Sequence, residues 1–69
     1  MRELKLRGEY ITLGQLLKAE GLVEDGVEAK MVIQSGDVAV NGETETRRGK
    51  KLRGGDVVLY DGNEIRIVE

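Results

Sequence analysis

The stretch Glu28-Ala29-Lys30-Met31-Val32-Ile33-Gln34-Ser35-Gly36-Asp37-Val38-Ala39-Val40-Asn41-Gly42 decides the fold. Ala29, Val32 and Ile33 recur at helical spacing and define one buried stripe. Gly36 is the expected stop, because the residue just past a helix end commonly takes the left-handed conformation that glycine tolerates best. The period then changes from 3.6 to two, so Asp37-Val38-Ala39-Val40 reads as a strand. Asn41-Gly42 is the strongest short hairpin signal, since both residues accept positive φ, and it predicts that the chain returns antiparallel over Glu43 to Thr46.

Upstream, Asp25 and Glu28 stand at the capping-box spacing and place two acids at the positive end of the helix dipole. The helix is therefore expected to start at Asp25. Lys30 and Gln34 lie four apart and share its exposed face. A first helix opens at Thr12, an N-cap with Gln15 three residues on. Leu13, Leu16 and Leu17 form its apolar stripe, Gly21 is its stop, and Leu22 can fold back onto the stripe. Before it, Glu3-Leu4-Lys5-Leu6-Arg7 alternates polar and apolar like a half-buried strand, which Tyr10-Ile11 would extend or pair with.

Downstream of the hairpin, a basic segment runs to Leu52, its single large apolar residue and the expected tether to the core. Gly54-Gly55-Asp56 reads as a turn, Val57 to Tyr60 as a strand, and Asp61-Gly62 as a second tight hairpin leading into Ile65, Ile67 and Val68. One strand, two helices and then a run of strands predicts an α+β fold, with both helices packed on one side of a small, mostly antiparallel β-sheet. At 69 residues a single domain, 1–69, is expected.

Composition narrows the chemistry. A domain this small buries only about 60% of its unfolded surface, so its core is thin and a buried active site is hard to fit. Cysteine and histidine are both absent, which removes thiolate ligands, the usual general base and the commonest metal ligand. No catalytic residue, metal or cofactor is expected. The apolar runs are far short of the ~20 residues that cross a bilayer, and the charged start Arg2-Glu3-Leu4-Lys5 is unlike a signal peptide, so a cytoplasmic protein is expected. Phe and Trp are absent and only Tyr10 and Tyr60 are aromatic. Both tyrosines are expected at the edge of the core rather than as stacking platforms, so any nucleic acid would be read through backbone and shape.

The charge is unevenly placed. Thr44 to Arg53 holds Arg47, Arg48, Lys50, Lys51 and Arg53 against Glu45 alone, a net +4. The other residues carry six cations and twelve acids, a net −6, so the formal charge of −2 conceals two zones of opposite sign. A loop built only for solubility mixes its signs. Five cations without internal partners are instead what a polyanion would find.

The ordered motifs carry a resemblance. The pattern E-A-x-x-x-I-x-x-G-x-V-x-V-N-G, read over Glu28 to Gly42, is followed by a basic stretch and a G-D-x-V strand at Gly55-Asp56-Val57-Val58. With the preceding helix, this resembles the small RNA-binding domain named after ribosomal protein S-four of the small subunit, the alpha-L motif, over residues 12–60. The segment Asn41 to Leu52 looks like the stand-alone YbcJ/YaaA-type members of that family. The resemblance implies non-enzymatic binding of structured RNA, with ribosomal RNA the expected class, through helix 2 and the adjoining β-loop. Lys30 matches the family's basic position on helix 2, and Gln34 a position there that is often basic. Arg47, Arg48, Lys50, Lys51 and Arg53 supply the loop. Many relatives place Arg or Ser near the start of helix 2, where this chain has Asp25-Gly26-Val27. Glu24, Asp25 and Glu28 oppose a phosphate there, which shifts the weight to the basic loop.

The simpler readings make Lys30 and Gln34 a wet helix face, Gly49, Gly54 and Gly55 turn formers, and the acids from Glu20 to Glu28 caps and solvated charge. Two other functions were open. One is a protein–protein adaptor that binds a ribosomal protein or an acidic partner through the same loop. The other is a ubiquitin-like sulfur carrier, disfavoured because the chain ends Ile67-Val68-Glu69 and not Gly-Gly. A monomer is expected.

Overall fold

A computed structural model describes residues Arg2–Glu69; Met1 lies outside the described residues. In chain order the elements are β1 (Arg2–Lys5), β2 (Ile11–Thr12), α1 (Leu13–Ala19), α2 (Gly26–Gln34), β3 (Val38–Val40), β4 (Glu43–Thr44), β5 (Lys51–Leu52), β6 (Val57–Tyr60) and β7 (Asn63–Val68). The two helices pack on one side of a mostly antiparallel sheet, as the order of periodicities predicts.

Helix ends are set by local chemistry. Thr12 caps α1 through a complete capping box: the Gln15 amide donates to its hydroxyl at 3.3 Å, and its own amide donates to the Gln15 side chain at 3.0 Å. At the other end, the Leu22 amide donates to the Leu17 carbonyl and the Gly21 amide to the Lys18 carbonyl, each at 3.0 Å. That is a Schellman closure. α2 ends the same way, with Asp37 bonded to Val32 and Gly36 to Ile33, and Gly36 holds a φ of +83° that a side chain would strain. The start of α2 departs from a simple capping box. The Asp25 carboxylate accepts from the Glu28 amide at 2.8 Å, but the Glu28 carboxylate reaches past the cap to accept from the Glu24 amide at 2.6 Å.

The main sheet has the order β1-β7-β6-β3-β4. Only β1 with β7 is parallel, in the register Leu4 to Ile67. Asn41-Gly42 and Asp61-Gly62 form the two predicted hairpins, with φ of 52° at Asn41 and 50° at Asp61. Val38, Val40, Val58, Ile65 and Ile67 alternate inward and meet Leu13, Leu16, Leu17, Ala29 and Ile33 from the helices in one core. No helix among the described residues is long and apolar enough to cross a membrane.

Two strand expectations are corrected. Tyr10-Ile11 neither extends nor pairs with β1; β2 instead pairs antiparallel with β5, forming a separate two-stranded sheet in the register Ile11 to Leu52 and Thr12 to Lys51. β1 itself stops at Lys5, although the Leu6 amide still donates to the Val68 carbonyl at 2.8 Å. The return strand β4 is also shorter than Glu43 to Thr46. It ends where the Glu45 carboxylate turns back to accept from the Arg47 amide at 3.0 Å.

Candidate nucleic-acid interface

The basic segment is a long connection between β4 and β6, yet it is held at several points. The first amides of α1 have no partner inside the helix. Here they donate to the segment: Leu13 to the Lys50 carbonyl at 2.9 Å and Gly14 to the Arg48 carbonyl at 3.0 Å. The β2–β5 pairing continues the clamp, and Leu52 is completely buried, as its position as the lone apolar anchor predicts. Gly14 is needed by this packing. A Cβ there would lie 2.7 Å from the Arg48 Cγ, so the Arg48 stem passes directly over the helix start.

A second junction fixes the far end. The Asn41 side chain donates to Asp56 Oδ1 at 3.0 Å and accepts from the Val57 amide at 2.9 Å, while Asp56 Oδ2 accepts from the Arg53 amide at 2.8 Å. Asn41 is therefore more than a turn former. It joins the Asn-Gly hairpin to the Gly55-Asp56 turn fifteen positions away, so the two most recognisable dipeptides meet in space. Burial alone would raise the Asp56 carboxyl. The Arg53 amide, the Asn41 side chain and the charges of Lys50 and Arg53 outweigh it and hold the pKa below the ordinary value.

With its backbone secured, the segment displays cations on two sides. Arg48 faces the helices, where with Lys18 and Gln15 of α1 and Gly26 and Ala29 of α2 it lines a shallow concavity of about 170 Å³. Arg47, Lys50, Lys51 and Arg53 line a separate concavity of about 390 Å³. Lys30 and Gln34 are exposed on α2, but neither lines either of these two concavities. The same face of α2 also exposes Val27 and Met31, at 68% and 62%.

The five cations are not equally free, which corrects the expectation that none has an internal partner. Arg47 is gripped by Glu45, with Nε to Oε2 at 2.9 Å and Nη2 to Oε1 at 3.1 Å. The Arg47 side-chain hydrogen bonds hold the Glu45 carboxyl at about 2, helped by the Arg47 amide and the Lys50 charge and opposed by partial burial. The Arg47 guanidinium is correspondingly pushed above its ordinary value.

Two residues near these cations were missed or misplaced by the sequence. Lys18 is the cation that stands with Arg48 between the helices, and its i, i+4 relation to Gly14 is the signal that could have found it. Tyr10, expected at the core edge, is 43% exposed. The Lys51 ammonium lies 4.9 Å and the Arg53 guanidinium carbon 5.8 Å from its ring centroid. Such contacts contribute roughly 0.5–1 kcal/mol each at exposed sites. Tyr60, by contrast, is half-buried against the core, as expected.

Comparison with known proteins agrees with this architecture. The family model described as the S4 domain matches residues 4–68. The "Probable ribosome maturation protein RlbA" of Bacillus subtilis is 46% identical over 54 residues, covering 78% of this chain and 76% of that protein. The "Putative RNA-binding protein YbcJ" of Escherichia coli is 39% identical over 59 residues, covering 86% of this chain and 84% of the relative. The solution structure of YbcJ from E. coli, described as revealing an alpha-L motif involved in RNA binding, superposes with a TM-score of 0.76 at 36% identity, covering all of this chain and 89% of that one. The chain belongs to the S4 domain family.

Proposed function

We propose that this protein is a non-enzymatic, monomeric, cytoplasmic module that binds structured RNA, with ribosomal RNA as the target class. The observation that carries the reading is a basic segment whose backbone is fixed by α1, β2 and Leu52 while Arg47, Arg48, Lys51 and Arg53 remain exposed and Lys50 half-exposed. Preorganised cations lose less freedom on binding than those of a loose loop. The similarity to a protein named for ribosome maturation and to one named for RNA binding supports RNA as the partner.

Arg48, Lys50, Lys51 and Arg53 neutralise phosphates, and the guanidinium of Arg48 can grip one bidentately. Arg47 contributes less because Glu45 already occupies it. Lys30 and Gln34 fix orientation from α2. With four free cations engaged, log K should fall against log salt with a slope of roughly −3 to −4. A titration of a structured ribosomal RNA fragment at several salt concentrations tests this. The Arg48/Lys50/Lys51/Arg53→Ala variant should stay folded, lose roughly a hundredfold or more in affinity at low salt, and lose most of the slope. A flat salt response, or full affinity in that variant, contradicts the reading.

The exposed Val27 and Met31 favour a second, narrower role for α2 as a protein contact. A Met31→Ala substitution, which adds no charge beside Lys30, would then weaken capture of a ribosomal protein while leaving RNA affinity intact.

A further inference from the structure

We propose that Tyr10 stacks an unpaired base of the bound RNA, so that the target carries a bulged or single-stranded nucleotide beside its structured region. The inference rests on the RNA-binding reading and specifies what kind of RNA that site takes.

The β2–β5 register places Ile11 opposite Leu52 and Thr12 opposite Lys51. Strand alternation then turns Ile11 and Leu52 inward and puts Tyr10, Lys51 and Arg53 together on the outer face. The ring is thus part of the same surface as the loop cations, and it remains 43% exposed with both of them beside it. Its exposure beside two cations is more than packing against the core requires.

Tyr10 also borders a concavity of about 420 Å³ that Lys51 and Arg53 do not line. The half-buried Leu6 and Ile11 line it, together with the exposed Lys5 and Arg7. That volume falls within the roughly 300–1,000 Å³ of small-ligand sites, enough for a nucleobase. Glu20 also lines it, but its carboxylate is engaged by Arg2 at 3.5 Å. An apolar surface with an aromatic at one edge and cations on both sides suits a nucleotide, with its base on the ring and its phosphates on Lys5, Arg7, Lys51 and Arg53. Stacking a base contributes about 1–3 kcal/mol, more than either exposed cation–π contact alone, so the base can compete for the ring. Bases inside a duplex have their faces covered, and only an extruded one can reach a ring at the protein surface. Tyr10 therefore selects for an unpaired nucleotide.

Tyr10 and Tyr60 are the two tyrosines and tryptophan is absent, so Tyr60→Phe leaves Tyr10 as the single fluorophore. In that variant, a blunt-ended RNA duplex carrying one bulged nucleotide should quench the emission, and the same duplex fully paired should bind without quenching. Tyr10→Ala should weaken the bulged duplex roughly tenfold, leave the paired one unchanged, and keep the salt slope. Tyr10→Phe, which retains the ring, should restore the preference. Absence of quenching on binding overturns the inference. So does an equal loss for both RNAs in Tyr10→Ala, since Tyr10 would then merely position Lys51 and Arg53, and so does no loss for either. In each of those cases salt-dependent binding would persist and the RNA reading would stand. If neither duplex nor the ribosomal fragment binds, the RNA reading itself fails and this inference with it.

Discussion

The basic segment after β4 and the acidic connection between α1 and α2 are both charged, exposed and irregular, but they use their charges in opposite ways. In the acidic connection the side chains satisfy the backbone. Asp25 caps the Glu28 amide and Glu28 takes the Glu24 amide, so these carboxylates are occupied with local structure. In the basic segment other elements satisfy the backbone, through α1 amides, the β2–β5 pairing and the buried Leu52. The cations are left over. Arg47, bound by Glu45, is the one that resembles its acidic counterparts. Charge composition alone cannot separate these regions, whereas hydrogen-bond partners can.

That contrast breaks most severely at Leu52. Leu52→Ala should cost about 2–5 kcal/mol of stability, because the side chain is fully buried and its loss also unpins the segment. Chemical denaturation would measure it, and in the variant that still folds RNA affinity should fall although no cation has been removed. Asp25→Ala should cost about 1 kcal/mol as a lost cap and leave RNA affinity unchanged or slightly raised. Gly14→Ala sets two effects against each other. Alanine favours the helix by about 1 kcal/mol, but its Cβ forces the Arg48 stem aside. Thermal stability should therefore change little while affinity drops to the level of Arg48→Ala.

Glu45→Gln sharpens the comparison from the other side. It should free Arg47, tighten RNA binding a few-fold and steepen the salt slope by about one. The same variant has a pH signature. The folded Glu45 carboxyl sits at about 2, below its ordinary 4.5, so its contribution to stability is present above that ordinary value and fades as pH falls toward the folded one. Melting curves of the parent and Glu45→Gln should differ by a small constant amount above about pH 5 and converge toward pH 2. The smallest effect is expected at Lys30→Ala, because Lys30 lines neither of the concavities that hold the cations of the basic segment.

The features legible in the sequence are those whose determinants lie within a few residues. Thr12 with Gln15, Gly21 with Leu22, and Asn41-Gly42 each specify a cap, a stop or a turn from neighbouring side chains. Leu52 was legible as an anchor because nothing else near it is large and apolar. The β2–β5 sheet was not legible. Each strand has two residues, too few for a period to register, and the partners are about forty positions apart. Missing that pairing also hid Tyr10, since only the register sets it beside Lys51 and Arg53. The cations of the basic segment could be named from sequence, whereas Lys18 was missed because it belongs to a different element. Their division into an Arg48 side and a Lys51 side could not, because it depends on which face of α1 the segment crosses.

The most direct test follows backbone amide chemical shifts of the full chain as a structured RNA is added. Shifts should concentrate on Arg48 to Arg53, the α1 amides of Leu13 and Gly14 and the neighbouring Tyr10, with Glu24 to Glu28 nearly unmoved. Shifts centred on the acidic connection, with the basic segment silent, would contradict the assignment of the two regions.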